Sequence, residues 1–274
     1  MKFKAIFFIF NGIILFSFLL IFFMPLFVLG ADYAMVFWGD SWYLLALFLG
    51  VLGILDGYFL YNWTLFTSLE KENWKGLHDY LKEKLFEKNR FSRQNINLFV
   101  NASLMLNDTE SIDSLFQHVA QKAPEKAEKY ALNLGIPVLL RHQDKEIVDR
   151  FGPVWNKSKQ DLWVGWNYAF GLLLGGTEEG RQNAKEILTT LLDRMGNDYP
   201  LGLLSSYMLK TFDDGDTTQK VEAFLQQLNR KFTQDSWSRS MQKAQEKIQV
   251  YILGSILQEA AKWAFSPEKS NQLP

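Results

Sequence analysis

Three histidines, His78, His118 and His142, are the side chains best suited to acid–base or metal chemistry near neutral pH. No two stand at i, i+4, and no H-E-x-x-H occurs, so their spacing builds no zinc site. Each is expected on a solvated helix face or in a loop. The carboxylate pairs Glu178-Glu179 and Asp213-Asp214 fall where helices begin, and a helix N-terminus favours negative charge. Capping therefore explains them better than catalysis. There is no Cys, which removes thiolate chemistry, disulfides and Cys-ligated metals. The phosphate-cradling patterns G-x-x-x-x-G-K-[ST] and G-x-G-x-x-G are absent, as is the G-x-S-x-G elbow. The sequence leads to the expectation of no catalytic centre, no metal and no cofactor.

Two constellations suit binding instead. Trp163, Trp166, Asn167 and Tyr168 bring three aromatic rings together within six residues. Trp and Tyr are common interface anchors, and this set is the expected partner-binding groove. Lys129 and Arg141 could add charge for an acidic peptide. The second constellation is Asn11, Ser17, Gly53, Asp56 and Gly57, set within very apolar surroundings. Gly53 and Gly57 form a small-xxx-small pair that lets another helix approach closely. Asp56 falls near the middle of its apolar run, where a charged Asp costs about 2.5–3.5 kcal/mol on insertion scales. Either it is protonated and bonded to Asn11 or Ser17, or it meets a partner helix.

The elements that must position these residues are of two kinds. Ala5–Leu29 and Trp42–Phe66 are apolar runs of 25 residues each. Each is long enough to cross a hydrocarbon core of roughly 30 Å as a helix. The link Gly30–Ser41 carries Asp32 and Asp40 and no cation, whereas Lys2 and Lys4 precede the first run. Lys71, Lys75, Lys82, Lys84, Lys88 and Arg90 follow the second. The positive-inside rule places both chain ends in the cytoplasm and the link outside, in the inner membrane of a bacterium. A cleaved signal peptide ending before Ala31 is the alternative for the first run, although its apolar core is longer than the usual 7–15 residues. The formal charge is −1, from 29 basic and 30 acidic residues, which leaves no excess of cations for nucleic acid.

From Ser68 onward the apolar spacing is helical. Breaks recur at Asn107-Asp108, Arg141-His142-Gln143, Gly175-Gly176-Thr177 and Asp213-Asp214-Gly215. The apolar pairs before them, Leu104-Met105, Leu139-Leu140, Leu173-Leu174 and Met208-Leu209, are spaced by 35, 34 and 35 residues. A second amphipathic helix follows each break. One helix pair per 35 residues is the signature of a stacked α-solenoid. Stepping back one period from Leu104 reaches Leu69, so the array extends to the exit of the second apolar run.

Here the chain resembles the tetratricopeptide repeat family, whose helix–turn–helix unit is about 34 residues. Ile96, Phe99, Val100, Ser103, Ile112, Phe116, Val119 and Pro124 match that unit in spacing, with Phe116 and Pro124 matching in kind. The next unit keeps Leu134-Gly135 and Phe151 without the closing Pro. The resemblance implies that the first helix of each pair lines a groove for a protein partner. The expected fold is all-α: a membrane hairpin over 1–68, a helical repeat over 69–265 closed by one long capping helix, and a disordered tail over 266–274. The expected function is a membrane-anchored scaffold with a protein partner in a membrane complex. Alternatives are a structural subunit packed through its membrane helices and, by likeness to two-span proteins of a family named after haem biosynthesis, an accessory of lipid or cofactor metabolism.

Overall fold

The structure is a computed structural model and describes residues 3–244 and 247–266. Every regular element among them is helical. The chain divides into two compact units, up to Lys88 and from Asn89. The expected tail from Pro267 onward lies outside the described residues, as do Lys2 and Glu246.

In the first unit, α1 (Phe3–Leu29) and α2 (Ala31–Tyr61) are long and apolar enough to cross a membrane, and neither apolar core is buried within the protein. Gly30, with φ 88°, makes the reversal between them. The expected link is therefore helical: its residues form the first turns of α2, which kinks at Ser41 (φ −114°, ψ 17°). The hairpin is sealed by rings. Phe18 stacks on Phe48 with centroids 3.8 Å apart, Phe7 meets Phe59 edge-on at 5.6 Å, and Phe22 stacks on Trp38 at 5.8 Å. Trp38 Nε1 donates to the Phe22 carbonyl at 3.0 Å, which satisfies the half-buried indole. The second apolar run is interrupted before Phe66. Asn62 leaves helical geometry (φ −99°, ψ 16°) and α3 (Trp63–Glu70) begins anew. A turn then leads to α4 (Trp74–Lys82), capped by the Asn73 side chain accepting from Gly76 N–H, and to a π-helical turn Glu83–Glu87. Lys84 is buried there. Its ammonium sits 4.6 Å and 4.5 Å from the Tyr61 and Tyr80 ring centres, an aromatic clasp for a cation.

The second unit runs α5 (Arg93–Met105), α6 (Thr109–Lys122), α7 (Pro124–Lys129), α8 (Ala131–Leu134), α9 (Ile136–Arg141) and α10 (Asp144–Ser158). It continues with α11 (Leu162–Leu174), α12 (Glu178–Arg194), α13 (Tyr199–Leu209), α14 (Gly215–Lys231), α15 (Gln234–Ala244), α16 (Ile248–Ile252) and α17 (Gly254–Ala264). Neighbours in sequence pack as neighbours in space, α10 on α11, α11 on α12, α12 on α13 and α13 on α14. Alternate helices also touch, α11 with α13 and α12 with α14, so first and second helices form two layers. This is a helical-repeat body. Side-chain caps at Ser92, Asp108, Asp161, Thr177 and Asp214 start α5, α6, α11, α12 and α14 by accepting backbone N–H groups.

The period appears in the backbone. Glu72, Asn107, His142 and Gly176 have φ of 51°, 56°, 51° and 65°, at successive intervals of 35, 35 and 34 residues. Each closes the turn inside a helix pair, including the α3–α4 pair at the end of the apolar hairpin. Between layers, Ile112, Leu115, Val119, Ile147, Phe151, Ala184, Leu188, Leu191, Phe224 and Leu228 are buried, as their helical spacing requires. Gly171 permits close approach of α11 to α10: a Cβ there would lie 2.6 Å from Ile147.

Of the apolar pairs before the breaks, Met105, Leu140 and Leu174 are exposed at the turns. Two expectations are corrected. The first helix of the second pair is broken into α7, α8 and α9, by the non-helical Tyr130 (φ −109°, ψ 21°) and by Gly135 just ahead of Pro137. The single long capping helix is instead α15, α16 and α17, with Leu253 (φ −87°, ψ 13°) separating the last two.

Candidate functional site

The expected groove residues lie on α11. Asp161 starts this helix by accepting from the backbone N–H groups of Trp163 and Val164 at 3.0 and 3.4 Å. Its composition is apolar nearly all round, and a helix of that kind is buried on all sides. Trp163, Trp166 and Asn167 are accordingly buried, Trp166 and Asn167 fully, and Tyr168 is half-buried against α10 near Gly152. Their expected role as an open partner groove is corrected on this point: the protein itself fills the positions around them. Trp163 Nε1 donates to Asp198 Oδ2 at 3.0 Å, at the start of α13. Trp166 stacks on Phe170, centroids 5.2 Å apart and planes 12° from parallel.

Asn167 shows what fills the space. Its Nδ2 donates to Gln249 Oε1 at 3.2 Å, and Gln249 Nε2 donates in turn to the Leu132 carbonyl at 3.0 Å. Gln249 is in α16, Leu132 in α8. Further along, the Tyr207 hydroxyl of α13 faces Glu259 Oε2 of α17 at 3.5 Å, and Lys210 sits over the rings of Tyr207 and Trp263 at 3.6 and 5.3 Å. The C-terminal helices thus lie across the layer of first helices α8, α11 and α13 rather than capping the last pair. Val250, Leu253, Leu257, Ala260 and Ala264 belong to the same core cluster as α11 and α13. Gln249, Tyr207 and Glu259 are absent from the expected site. Apolar spacing from Val250 to Ala264 marks a buried face, but nothing local says which surface it meets.

A second polar cluster joins α6, α9 and α10. Arg150 lies 3.5 Å from the Phe116 ring centre, donates to the Leu134 carbonyl at 2.8 Å and to Asp113 Oδ1 at 3.3 Å. Burial draws its pKa down while Asp113 opposes the shift. Arg141 is held by Asp113 at 2.8 Å and Glu146 at 3.1 Å, so its charge is spent internally rather than on an acidic peptide. Lys129 is exposed.

The histidines are dispersed. His78 is buried, against expectation, with Nδ1 3.4 Å from Asp79. His118 Nε2 pairs with Asn89 Oδ1 at 2.8 Å, and His142 lies in its turn beside the Phe170 ring. Among the described residues, no three His, Asp or Glu side chains gather as a metal site would require. Asp214 is a cap: its side chain accepts from Thr217 N–H and pairs with Lys185 at 2.8 Å, with its pKa lowered to about 2, chiefly by Lys185.

In the hairpin, the register set by Phe7–Phe59 and Phe18–Phe48 brings half-buried Asn11 level with Asp56. They do not bond. Asn11 Nδ2 donates to the Phe7 carbonyl at 3.2 Å, and Ser17 is exposed. Gly53 and Gly57 are exposed, and a Cβ at either would meet nothing within 4 Å. The stripe is therefore not where α1 packs.

These features define an all-helical protein in which two apolar N-terminal helices precede a paired-helix body closed by its own C-terminal segment. The family model described as "Uncharacterised Treponema protein" matches residues 111–266, more than half of the chain, and the chain belongs to that family. A protein of Treponema pallidum (strain Nichols), itself described as an uncharacterized protein, is 23% identical over 290 residues. That alignment takes in 97% of this chain and 88% of the relative, so it covers both units. No solved structure matches the chain.

Proposed function

We propose that the protein is a non-catalytic scaffold of tetratricopeptide type. It is anchored in the bacterial inner membrane by α1 and α2, has both ends in the cytoplasm, and presents its helical repeats to a protein partner in a membrane-associated complex. The observation that carries this reading is the continuity of architecture. The left-handed turn at Glu72, directly after the apolar hairpin, falls in phase with those at Asn107, His142 and Gly176. Solenoids use such stacked pairs to offer extended binding surfaces. The cation-free link and the lysines on either side of the hairpin support the orientation. In-cell crosslinking followed by detergent extraction tests the reading. Recovery of one specific envelope, secretion or motility component is expected, and a purely monomeric, uncrosslinked protein would count against it.

A structural subunit packed through its membrane helices is the second reading, favoured by the unoccupied Gly53/Gly57 stripe and by Asp56, which finds no hydrogen bond from Asn11 or Ser17. Gly53→Leu separates the two. It abolishes the native assembly under this reading and leaves crosslinking to the repeats intact under the first.

A further inference from the structure

With α16 and α17 lying across the first helices, the open surface of the second unit is sought at its edges. Each turn inside a helix pair stands beside the start of the preceding pair's second helix. Arg141, in the α9–α10 turn, reaches Asp113 of α6 at 2.8 Å. In the α11–α12 turn, a Cβ on Gly175 would meet Asp144 Oδ2 of α10 at 3.4 Å. In the α13–α14 turn, Asp214 pairs with Lys185 of α12 at 2.8 Å. The turns therefore follow one another along a single edge. There the last residues of the first helices form an apolar row: Met105 and Leu106 are 62% and 40% exposed, Leu140 45% and Leu174 42%. Isolated exposed apolar residues are ordinary, whereas a run of them marks an interaction surface. Exposure is not forced by the turn itself. At α13–α14, Leu209 is buried and Phe212 lies under the Arg181 guanidinium, 5.1 Å from its ring centre. The charge beside the open row is mostly of one sign. Residues 105–110, 140–146 and 174–179 carry six carboxylates against Arg141 and Lys145, and Arg141 is already held by Asp113 and Glu146. Glu110, Asp144, Glu178 and Glu179 stand exposed in the first turns of α6, α10 and α12. Starting a helix explains their place in the sequence, but it leaves their charge facing solvent. An anionic bilayer surface is repelled by such a fringe, and a cationic segment is drawn to it.

We propose that this turn edge is the docking surface for a basic amphipathic helix of another protein. The apolar stripe of that helix covers Met105, Leu106, Leu140 and Leu174, and its Lys or Arg residues face Glu110, Asp144, Glu178 and Glu179. Packed helices stand about 8–10 Å apart, and seven residues of helix rise about 10 Å. A ligand helix with an apolar residue at every seventh position therefore keeps step with the turns, and its intervening cations meet the carboxylates. The inference rests on the reading of the repeats as a protein-binding surface and places the partner on their edge, away from the layer that α16 and α17 cover.

The experiment uses the full chain in phosphatidylcholine nanodiscs, with empty discs as the blank. The probe is a fluorescent helical peptide of about three heptads, with Leu at a and d and Lys elsewhere, read by anisotropy. The unaltered protein takes it up, more weakly as salt rises, and does not take up the same peptide with Glu in place of Lys. That comparison depends on no variant. Affinity falls about tenfold in Met105→Ser/Leu140→Ser/Leu174→Ser, and by a similar factor in Glu110→Gln/Asp144→Asn/Glu178→Gln/Glu179→Gln. All of these side chains are exposed, so circular dichroism of both variants stays that of the wild type. No uptake of the Lys peptide, equal uptake of the Glu peptide, or full affinity in both variants overturns the proposal. Capture of the discs by phosphatidylglycerol vesicles, lost in the Ser variant, would assign the edge to lipid and also overturn it. A partner that crosslinks to the repeats in cells equally well in the Ser variant leaves the scaffold reading standing and removes this one.

Discussion

At the residue scale, two positions show how local chemistry sets stability. Gly165 faces α10 so closely that a Cβ would lie 2.7 Å from the Trp155 ring. Trp155 is buried and cannot swing clear. Gly165→Ala should therefore cost about 1–3 kcal/mol by overpacking, measured as a lower denaturant midpoint with unchanged slope. Asp214 acts through charge. Its pKa of about 2 lies below the ordinary 3.8, with Lys185 as the main cause. A depressed carboxylate contributes stability that is complete above the unfolded-state value and is lost as pH falls through the folded-state value. Wild type should lose thermal stability more steeply than Asp214→Asn between about pH 4 and pH 2. Parallel curves would show that the pair with Lys185 contributes nothing. The same scale shows why the expected groove misled. Trp, Tyr and Asn are the residue types of an interface, and they are also the types that fill a wide interior. Asn167 is matched by a residue 82 positions away, which no local spacing announces.

At the element scale the sequence was far more informative, because helical amphipathicity is a local property. The helix pairs, their turns and their caps follow from apolar residues three and four apart and from Asp, Ser or Thr at the starts. Where elements departed from expectation, the cause was a backbone event without a hydropathy signature: Ser41 in α2, Asn62 after it, and Leu253 between α16 and α17. The apolar pairs before each turn divide by the same logic. In the first three pairs the second member, rotated by about 100° from the first, points to solvent, whereas in Met208-Leu209 the second member is the buried one. Leu188 is fully buried between layers, so Leu188→Ala should cost about 2–5 kcal/mol. Met105, although equally apolar in the sequence, is 62% exposed, so Met105→Ser should stay within about 0.5 kcal/mol of wild type. Chemical denaturation of the two variants side by side checks the assignment. Comparable losses would mean that the turn residues pack against something further.

At the scale of the whole molecule, the proposed anchor puts the repeats on the cytoplasmic side of a membrane. Lys and Arg flank the hairpin, while Asp32 and Asp40 stand in the first ten residues of α2 with no cation among them. The absence of Cys makes this directly measurable, since a single introduced thiol has no background. Met35, near the start of α2, is 68% exposed, and Met105, at the first turn of the second unit, is 62% exposed. Both thiols would be accessible wherever water reaches them, so the difference between them reports on compartment and not on packing. In intact cells with a permeable outer envelope, a membrane-impermeant maleimide should label Met35→Cys. It should leave Met105→Cys untouched until the inner membrane is lysed. The reverse pattern would place the repeats outside the cytoplasm and remove every cytosolic partner at once. Labelling of both in intact cells would mean that α1 and α2 do not place their two flanks on opposite sides of a membrane, and the scaffold would then need a different anchor.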